Sequence, residues 1–397
     1  MMTKIPAPPS TAHLALPFFD DAHRALANDL LPWCAAQEID ERDDRAACRE
    51  WVRRLGDAGW LRYAVPGSAG GALERLDSRA LVLLRETLGY HSPLADFAFA
   101  MQGLGSGAIT LDGTPEQQSQ YLTAVGQGKK IAAFALSEPE AGSDVAAMAM
   151  RAEPTGDGWC LNGEKTWISN GGIADFYCVF AKTDPTAGTR GITVFIVDAT
   201  TRGLDTSSHI DVMAPHPLAT LRFDNCIVPR TVQLGTLNGG FKLAMRTLDI
   251  FRASVAAAAL GMGRRALAEA IAHAKGRRMF GQTLADFQLT QAKLGEMAAL
   301  IDSAALLTYR AAWMRDDAER RGAPAVGDVS AAAAMAKMCA TENASRVIDM
   351  ALQMHGGLGV KVGTKIESLY RDIRSLRIYE GATEVQQLII GKSVLRG

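Results

Sequence analysis

The chain has 397 residues, 48% hydrophobic and 21% charged, the make-up of a soluble globular protein large enough for two or three subdomains. A formal net charge of −1 speaks against a broad electrostatic grip on nucleic acid or on an anionic membrane. The six cysteines, Cys34, Cys48, Cys160, Cys178, Cys226 and Cys339, include no Cys-x-x-Cys pair; they form neither a zinc set nor a disulfide framework and suit a reducing, cytoplasmic compartment.

Met1–Pro17 reads as a disordered lead-in and not as a signal peptide, and no run approaches the roughly 18 apolar residues of a membrane span. From about Phe18 to Lys130 apolar residues recur at helical spacing, over Ala22–Ala36, Ala46–Ala58, Ser78–Leu88 and Leu94–Leu111. Pro66–Gly71 breaks the pattern, and Thr114-Pro-Glu-Gln opens a further helix with Thr114 as its N-cap. From Ile131 to about Leu234 the period shortens to that of strands. Asn162-Gly163 is read there as a two-residue hairpin turn, and Phe176–Ala181, Ile192–Val197 and Ala219–Phe223 as further strands. Beyond Gly239-Gly240 the helical period returns over Phe241–Lys275, Leu284–Met314, Val329–Met354 and Thr383–Leu395, with Arg315–Ala323 expected as a solvated loop. The expected class is α+β and mostly helical. It comprises an N-terminal helical domain (1–130), a middle β-barrel or sandwich (131–237) and a C-terminal four-helix bundle (238–397).

Five stretches carry chemistry. Phe134-Ala-Leu-Ser-Glu-Pro-Glu-Ala-Gly-Ser-Asp144 follows a strand with small residues, so its backbone N–H groups can face a flat or anionic ligand; a tight turn capped by Ser143 or Asp144 is the plainer alternative. In Lys165–Gly171 a strand tryptophan, Trp167, can stack on an aromatic ring, with Ser169 on its face, or it can simply fill a core. Arg277-Arg278 precede a turn, where arginine can grip phosphate or complement a helix end. Gln353–Gly359 is a glycine-rich helix exit, with His355 read as a packing or capping residue. Tyr379-Glu380-Gly381 places a carboxylate beside a sharp turn, either a surface glutamate or a proton acceptor in a partly dry site. A nicotinamide dehydrogenase is excluded, because no strand–Gly-x-Gly-x-x-Gly–helix unit exists.

Taken together and in order, these stretches resemble the acyl-CoA dehydrogenase family over nearly the whole chain. The resemblance implies FAD as cofactor and α,β-dehydrogenation of an acyl thioester, carried by CoA or an acyl carrier protein. Phe134, Leu136 and Ser137 would line the flavin, Trp167 would pack on it, and Ser169 would lie near its N5. Arg277, Phe280, Gln288, Gln353, Gly356 and Gly357 would hold the pyrophosphate and adenosine end of an FAD bound to a neighbouring subunit, implying a homodimer or homotetramer. Ser143, Asp249, Arg252 and Gly381 would meet the substrate, Ala382 and Glu384 would close on the flavin, and Glu380 would be the catalytic base. The implied electron acceptor is an electron-transfer flavoprotein. An oxidase using oxygen and a DNA-associated flavin-bound relative are the alternatives.

The chain departs from the family pattern in places. Asp211–Thr220 lacks the Met-Gly-x-Arg element and carries Pro215-His216-Pro217, whose histidine is a candidate substrate contact. Ala382 and Glu384 stand where a hydroxyl and a glutamine are frequent. Phe251 before Arg252 leaves Glu380 as the sole candidate base.

Overall fold

The computed structural model describes residues 10–322, 325 and 327–396, so most of the N-terminal lead-in and the end of the expected 315–323 loop lie outside it. The fold is α+β, with N-terminal helices, a middle sheet that is mostly antiparallel, and a helix-rich C-terminal region. By contact it divides into two compact units, one of residues 1–38, 78–96 and 252–397, the other of residues 39–77 and 97–251.

The second unit contains α2 (Asp44–Asp57), most of α4 (Pro93–Asp112), α5 (Pro115–Gly126), the sheet and the first turns of α6 (Gly240–Gly276). The predicted start of α5 is present in full: the Thr114 side chain accepts from Gln117 N–H at 3.2 Å, and Gln117 Oε1 accepts from Thr114 N–H at 3.1 Å. The strands are β1 (Ala132–Ala135), β2 (Arg151–Thr155), β3 (Gly158–Ser169), β4 (Phe176–Lys182), β5 (Ile192–Asp198), β6 (Leu204–Ile210), β7 (Leu218–Pro229) and β8 (Gln233–Leu234). Among the described residues they form one eight-stranded sheet, ordered β6-β7-β3-β2-β4-β5-β8, with β1 parallel to β4. Phe176, Cys178 and Phe180 of β4 and Ile192, Val194 and Ile196 of β5 are buried in one core with Ile109, Tyr121, Leu122 and Val125.

The hairpin expected at Asn162-Gly163 is not there. The two-residue turn is Gly156-Asp157, between Thr155 and Gly158, which pair across it. Asn162-Gly163 lies inside a continuous β3, where the register against β7 slips. The extra residue is on β7, which runs from Cys226 to Phe223 while β3 runs from Leu161 to Gly163; Gly163 stands opposite at φ +139° and packed on Met150, a conformation and a place that a side chain would resist.

The first unit is helical. It contains α1 (Asp21–Ala35), α3 (Ser78–His91), the remainder of α6, α7 (Gln288–Arg321), α8 (Val329–His355), α9 (Lys365–Leu376) and α10 (Thr383–Val394), with a small hairpin of β9 (Arg278–Met279) and β10 (Gln282–Thr283). Helix α8 neighbours α7, α9 and α10. Small residues allow close helix contact: at Gly261 of α6 an added Cβ would stand 2.1 Å from the Glu86 carbonyl of α3. The stretch expected to be a solvated loop from Arg315 is instead the last turns of α7. Its charge misled, because Asp316 is buried as a cap: its carboxylate accepts from the Ser78 and Arg79 N–H groups at 2.7 and 2.9 Å, at the start of α3. Among the described residues no helix is long and apolar enough to cross a membrane.

Candidate active site

In the sheet unit, the loop after β1 is fastened to β3 by consecutive residues. Lys165, fully buried, donates from Nζ to the Leu136 carbonyl at 3.0 Å and to Glu138 Oε1 at 2.7 Å. Thr166 N–H donates to the Ser137 carbonyl at 3.0 Å. Glu138 in turn accepts from the Ala149 and Met150 N–H groups. Burial moves the Lys165 ammonium down to about 8 against the pull of Glu138. With residues 165 and 166 occupied in this way, Trp167 leaves the regular strand at φ +58°, and its side chain is 59% exposed. The core-tryptophan alternative is therefore excluded. The register slips between Lys165 and Ile168, so Trp167 lies in a bulge of β3.

Ser169 Oγ lies 3.1 Å from His216 Nε2. The His216 ring packs on Phe97 with centroids 3.9 Å apart, its backbone N–H donates to Asp44 Oδ2 at 3.1 Å, and burial pushes the imidazole down to about 3. This loop histidine thus sits beside Ser169. Phe134 stacks at a tilt on Phe180 at 4.8 Å, Ser143 is exposed in the turn after β1, and Asp249 is half-buried on α6.

In the helical unit two groups of candidate residues come together. Arg277, Gln353, Gly356 and Gly357 line an open pocket of about 610 Å³, with Lys293 and the stacked pair His273–His355 (centroids 4.3 Å apart) on its walls. Nothing stands within 4 Å of a Cβ built on Gly356 or Gly357, so backbone is free to meet a ligand there. Phe280 and Gln288 are not among the lining residues; Phe280 is 87% exposed at φ +49° in the β9–β10 turn, and Gln288 is exposed at the start of α7. Two cations, Arg277 and Lys293, and exposed backbone fit a cofactor that carries phosphates.

The second group surrounds Glu380, in the link between α9 and α10. Glu380 and Gly381 are consecutive residues with positive φ, +52° and +91°. For a glutamate this conformation costs about 1–3 kcal/mol, which the surroundings must offset. Both Glu380 carboxylate oxygens are shielded from solvent, and neither has a hydrogen-bond partner among the described residues. Burial raises its pKa, opposed by Arg85, Lys337 and Arg252. Arg85 is itself buried, donating to both oxygens of Asp96 at 2.8 and 2.9 Å and to Ser254 Oγ at 2.9 Å. Arg252 is buried on α6. Ala382 is the N-cap of α10, and Glu384 is exposed in its first turn.

Sequence reasoning missed Lys337 and the Arg85–Asp96 pair. Lys337 is fully buried, and its Nζ donates to the Gly381 carbonyl at 2.7 Å. The available signal was a lone lysine within the alanine stripe of α8, on the buried face with Ala333, Ala334, Ala340 and Thr341. Asp96 likewise stands alone in an apolar run, between Ala95 and Phe97.

Known proteins match the chain along almost its whole length. Residues 17–129, 133–226 and 238–395 match the sequence patterns described as acyl-CoA dehydrogenase N-terminal, middle and C-terminal domain. The chain is 40% identical to a 3-(aryl)acrylate reductase of Clostridium sporogenes, over 96% of this chain and 100% of that one. It is 35% identical to a subunit of the caffeyl-CoA reductase–Etf complex of Acetobacterium woodii, over 95% and 96%. The butyryl-CoA dehydrogenase structure from Megasphaera elsdenii superposes with a TM-score of 0.88 at 32% identity, covering 95% and 99%. The chain belongs to the acyl-CoA dehydrogenase family, as an oxidoreductase acting on the CH–CH bond of acyl thioesters.

Proposed function

We propose that the protein catalyses α,β-dehydrogenation of an acyl-CoA, with Glu380 removing the α-proton. The observation that carries this reading is the Glu380 carboxylate: buried, without a hydrogen-bond donor among the described residues, and held in a left-handed turn among Arg85, Arg252 and Lys337. A carboxylate satisfied by donors is a weak base, whereas a desolvated one with a raised pKa is matched to take a proton near neutral pH. FAD, when bound, would supply the acceptor for the β-hydride at its N5. The protein's share is placement. Phe134, Leu136, Ser137, Trp167 and Ser169 are the residues for the flavin ring, and Arg277, Phe280, Gln288, Gln353, Gly356 and Gly357 those for the phosphate and adenosine end, supplied to a neighbouring copy in a homodimer or homotetramer. Ala382 and Glu384 would close on the flavin. Ser143, Asp249 and Arg252 are assigned to the thioester, with the Gly381 N–H donating to its oxygen as negative charge develops there.

The acyl group we expect is 3-arylpropionyl. Two relatives that match essentially end to end are named for reduction of 3-arylacrylates and of caffeyl-CoA, so the same α,β bond is the reacting bond in either direction. Glu380, protonated, would then return the proton. The name of the second relative's complex also supports an electron-transfer flavoprotein as redox partner.

The test is anaerobic absorbance titration of the FAD-loaded protein with butyryl-CoA and 3-phenylpropionyl-CoA. Bleaching is expected, greater with the aryl substrate. Glu380→Gln is expected to retain flavin and lose bleaching by at least ~10³-fold in rate; wild-type bleaching by that variant excludes Glu380 as the base.

A further inference from the structure

A buried lysine needs a compensating partner, and among the described residues Lys337 commits its ammonium to a single backbone carbonyl, that of Gly381. That carbonyl already accepts from Gln386 Nε2 at 2.9 Å, so satisfying it does not call for a cation. Five residues further along α8, Glu342 Oε1 accepts from Arg377 Nε at 2.8 Å and from Thr383 Oγ1 at 2.7 Å. Helix α8 therefore grips the α9–α10 link at both ends through Glu342 and in the middle through Lys337. What lies at the middle is the left-handed Glu380–Gly381 pair, with a carboxylate that has charges around it but no donor among the described residues.

We propose that Lys337 is a positioning residue for the reaction: by holding the Gly381 carbonyl it fixes the strained turn that presents Glu380, and its ammonium supplies standing positive charge to a carboxylate that no hydrogen bond from the described residues stabilises. This rests on the reading of Glu380 as the base. The charged groups acting on the pair are Arg85 of α3, Asp96 of α4, Arg252 of α6, Glu342 of α8 and Glu384 of α10. Of the three cations acting on Glu380, Arg85 is engaged by both oxygens of Asp96, Arg252 is buried on α6, and Lys337 is bonded to the residue next to the carboxylate itself. Burial brings Lys337 down to about 8, with Glu380 the leading influence holding it up; the same two groups act on each other in opposite senses.

The experiment compares FAD-loaded wild type with Lys337→Met and Lys337→Gln. The first readout needs no substrate: the Glu380 carboxyl is titrated by pH-difference infrared spectroscopy, with Glu380→Gln to identify its band. The second is anaerobic exchange of the α-protons of 3-phenylpropionyl-CoA with D₂O across the pH range. Loss of the cation is expected to move the Glu380 titration upward by about one pH unit or more in both variants. Exchange in Lys337→Met should fall roughly a hundredfold with KM little changed, and Lys337→Gln, which keeps a donor for the carbonyl, should recover most of the rate at high pH. An unmoved Glu380 titration in either folded variant overturns the proposal, as does a loss of exchange that merely tracks lost flavin or lowered melting temperature. Should Lys337→Met not fold, the infrared titration of Lys337→Gln decides. Wild-type exchange by Glu380→Gln would instead overturn the assignment of the base, whatever the Lys337 variants do.

Discussion

Single buried charges set the local geometry of the sheet unit. Lys165 and Glu138 are both buried and paired at 2.7 Å, and Glu138 also receives two backbone N–H groups, so neither partner can be removed alone without stranding the other. Lys165→Met is expected to cost about 3–5 kcal/mol in urea unfolding and to loosen the Leu136–Glu138 loop. His216 makes a pH prediction. Burial depresses its pKa from 6.5 to about 3, so between these values the unfolded chain binds more protons than the folded one. Its contribution to stability is therefore complete above pH 6.5 and is lost as pH falls toward 3. The urea midpoint of wild type should drop across that window, and His216→Gln, which has no titrating group, should flatten this part of the profile.

Between elements, backbone contact decides what is tolerated. A methyl group added to Gly261 on α6 would stand 2.1 Å from the Glu86 carbonyl oxygen and 2.9 Å from the Tyr90 nitrogen, both backbone atoms of α3 that cannot swing away. Gly261→Ala should thus destabilise by about 1–3 kcal/mol or more through overpacking, read as a lower urea midpoint with unchanged slope. The start of α5 behaves in the ordinary way for a cap: Thr114→Ala should cost about 1 kcal/mol, because the capping box is satisfied from both sides. The end of α7 shows the reverse lesson. Arg315–Arg321 has the composition of a solvated loop, yet the helix persists because Asp316 completes the first turn of α3.

At the scale of the whole molecule, charge and pocket chemistry point the same way. A net charge of −1 gives no general field for nucleic acid, and binding to duplex DNA with a salt-dependent slope is not expected. The pocket lined by Arg277, Gln353, Gly356 and Gly357 concentrates donors where phosphates could be held. Arg277→Ala should weaken FAD uptake by apo-protein about tenfold or more, the worth of one charge-assisted hydrogen bond, as followed by flavin fluorescence. Glu380→Gln should leave that uptake unchanged, separating cofactor binding from proton transfer.

The chain by itself determined the periods of its elements, the capping box at Thr114 and the order of the short stretches that mark the family, because each of these is a local pattern. Glu380 stands out only in the company of those other stretches, since Tyr379-Glu380-Gly381 alone reads equally as a surface turn. Position along the chain could not show that Lys337, 44 residues away, holds the Gly381 carbonyl, or that Arg85 meets Ser254 across 169 residues. Nor could it distinguish a turn at Asn162-Gly163 from a continuous strand facing a bulge on β7, since which strand lies opposite is not written in the local residues. Burial, and with it the shift of a carboxylate toward useful basicity, is a property of packing among distant segments, and only the tertiary structure decides it.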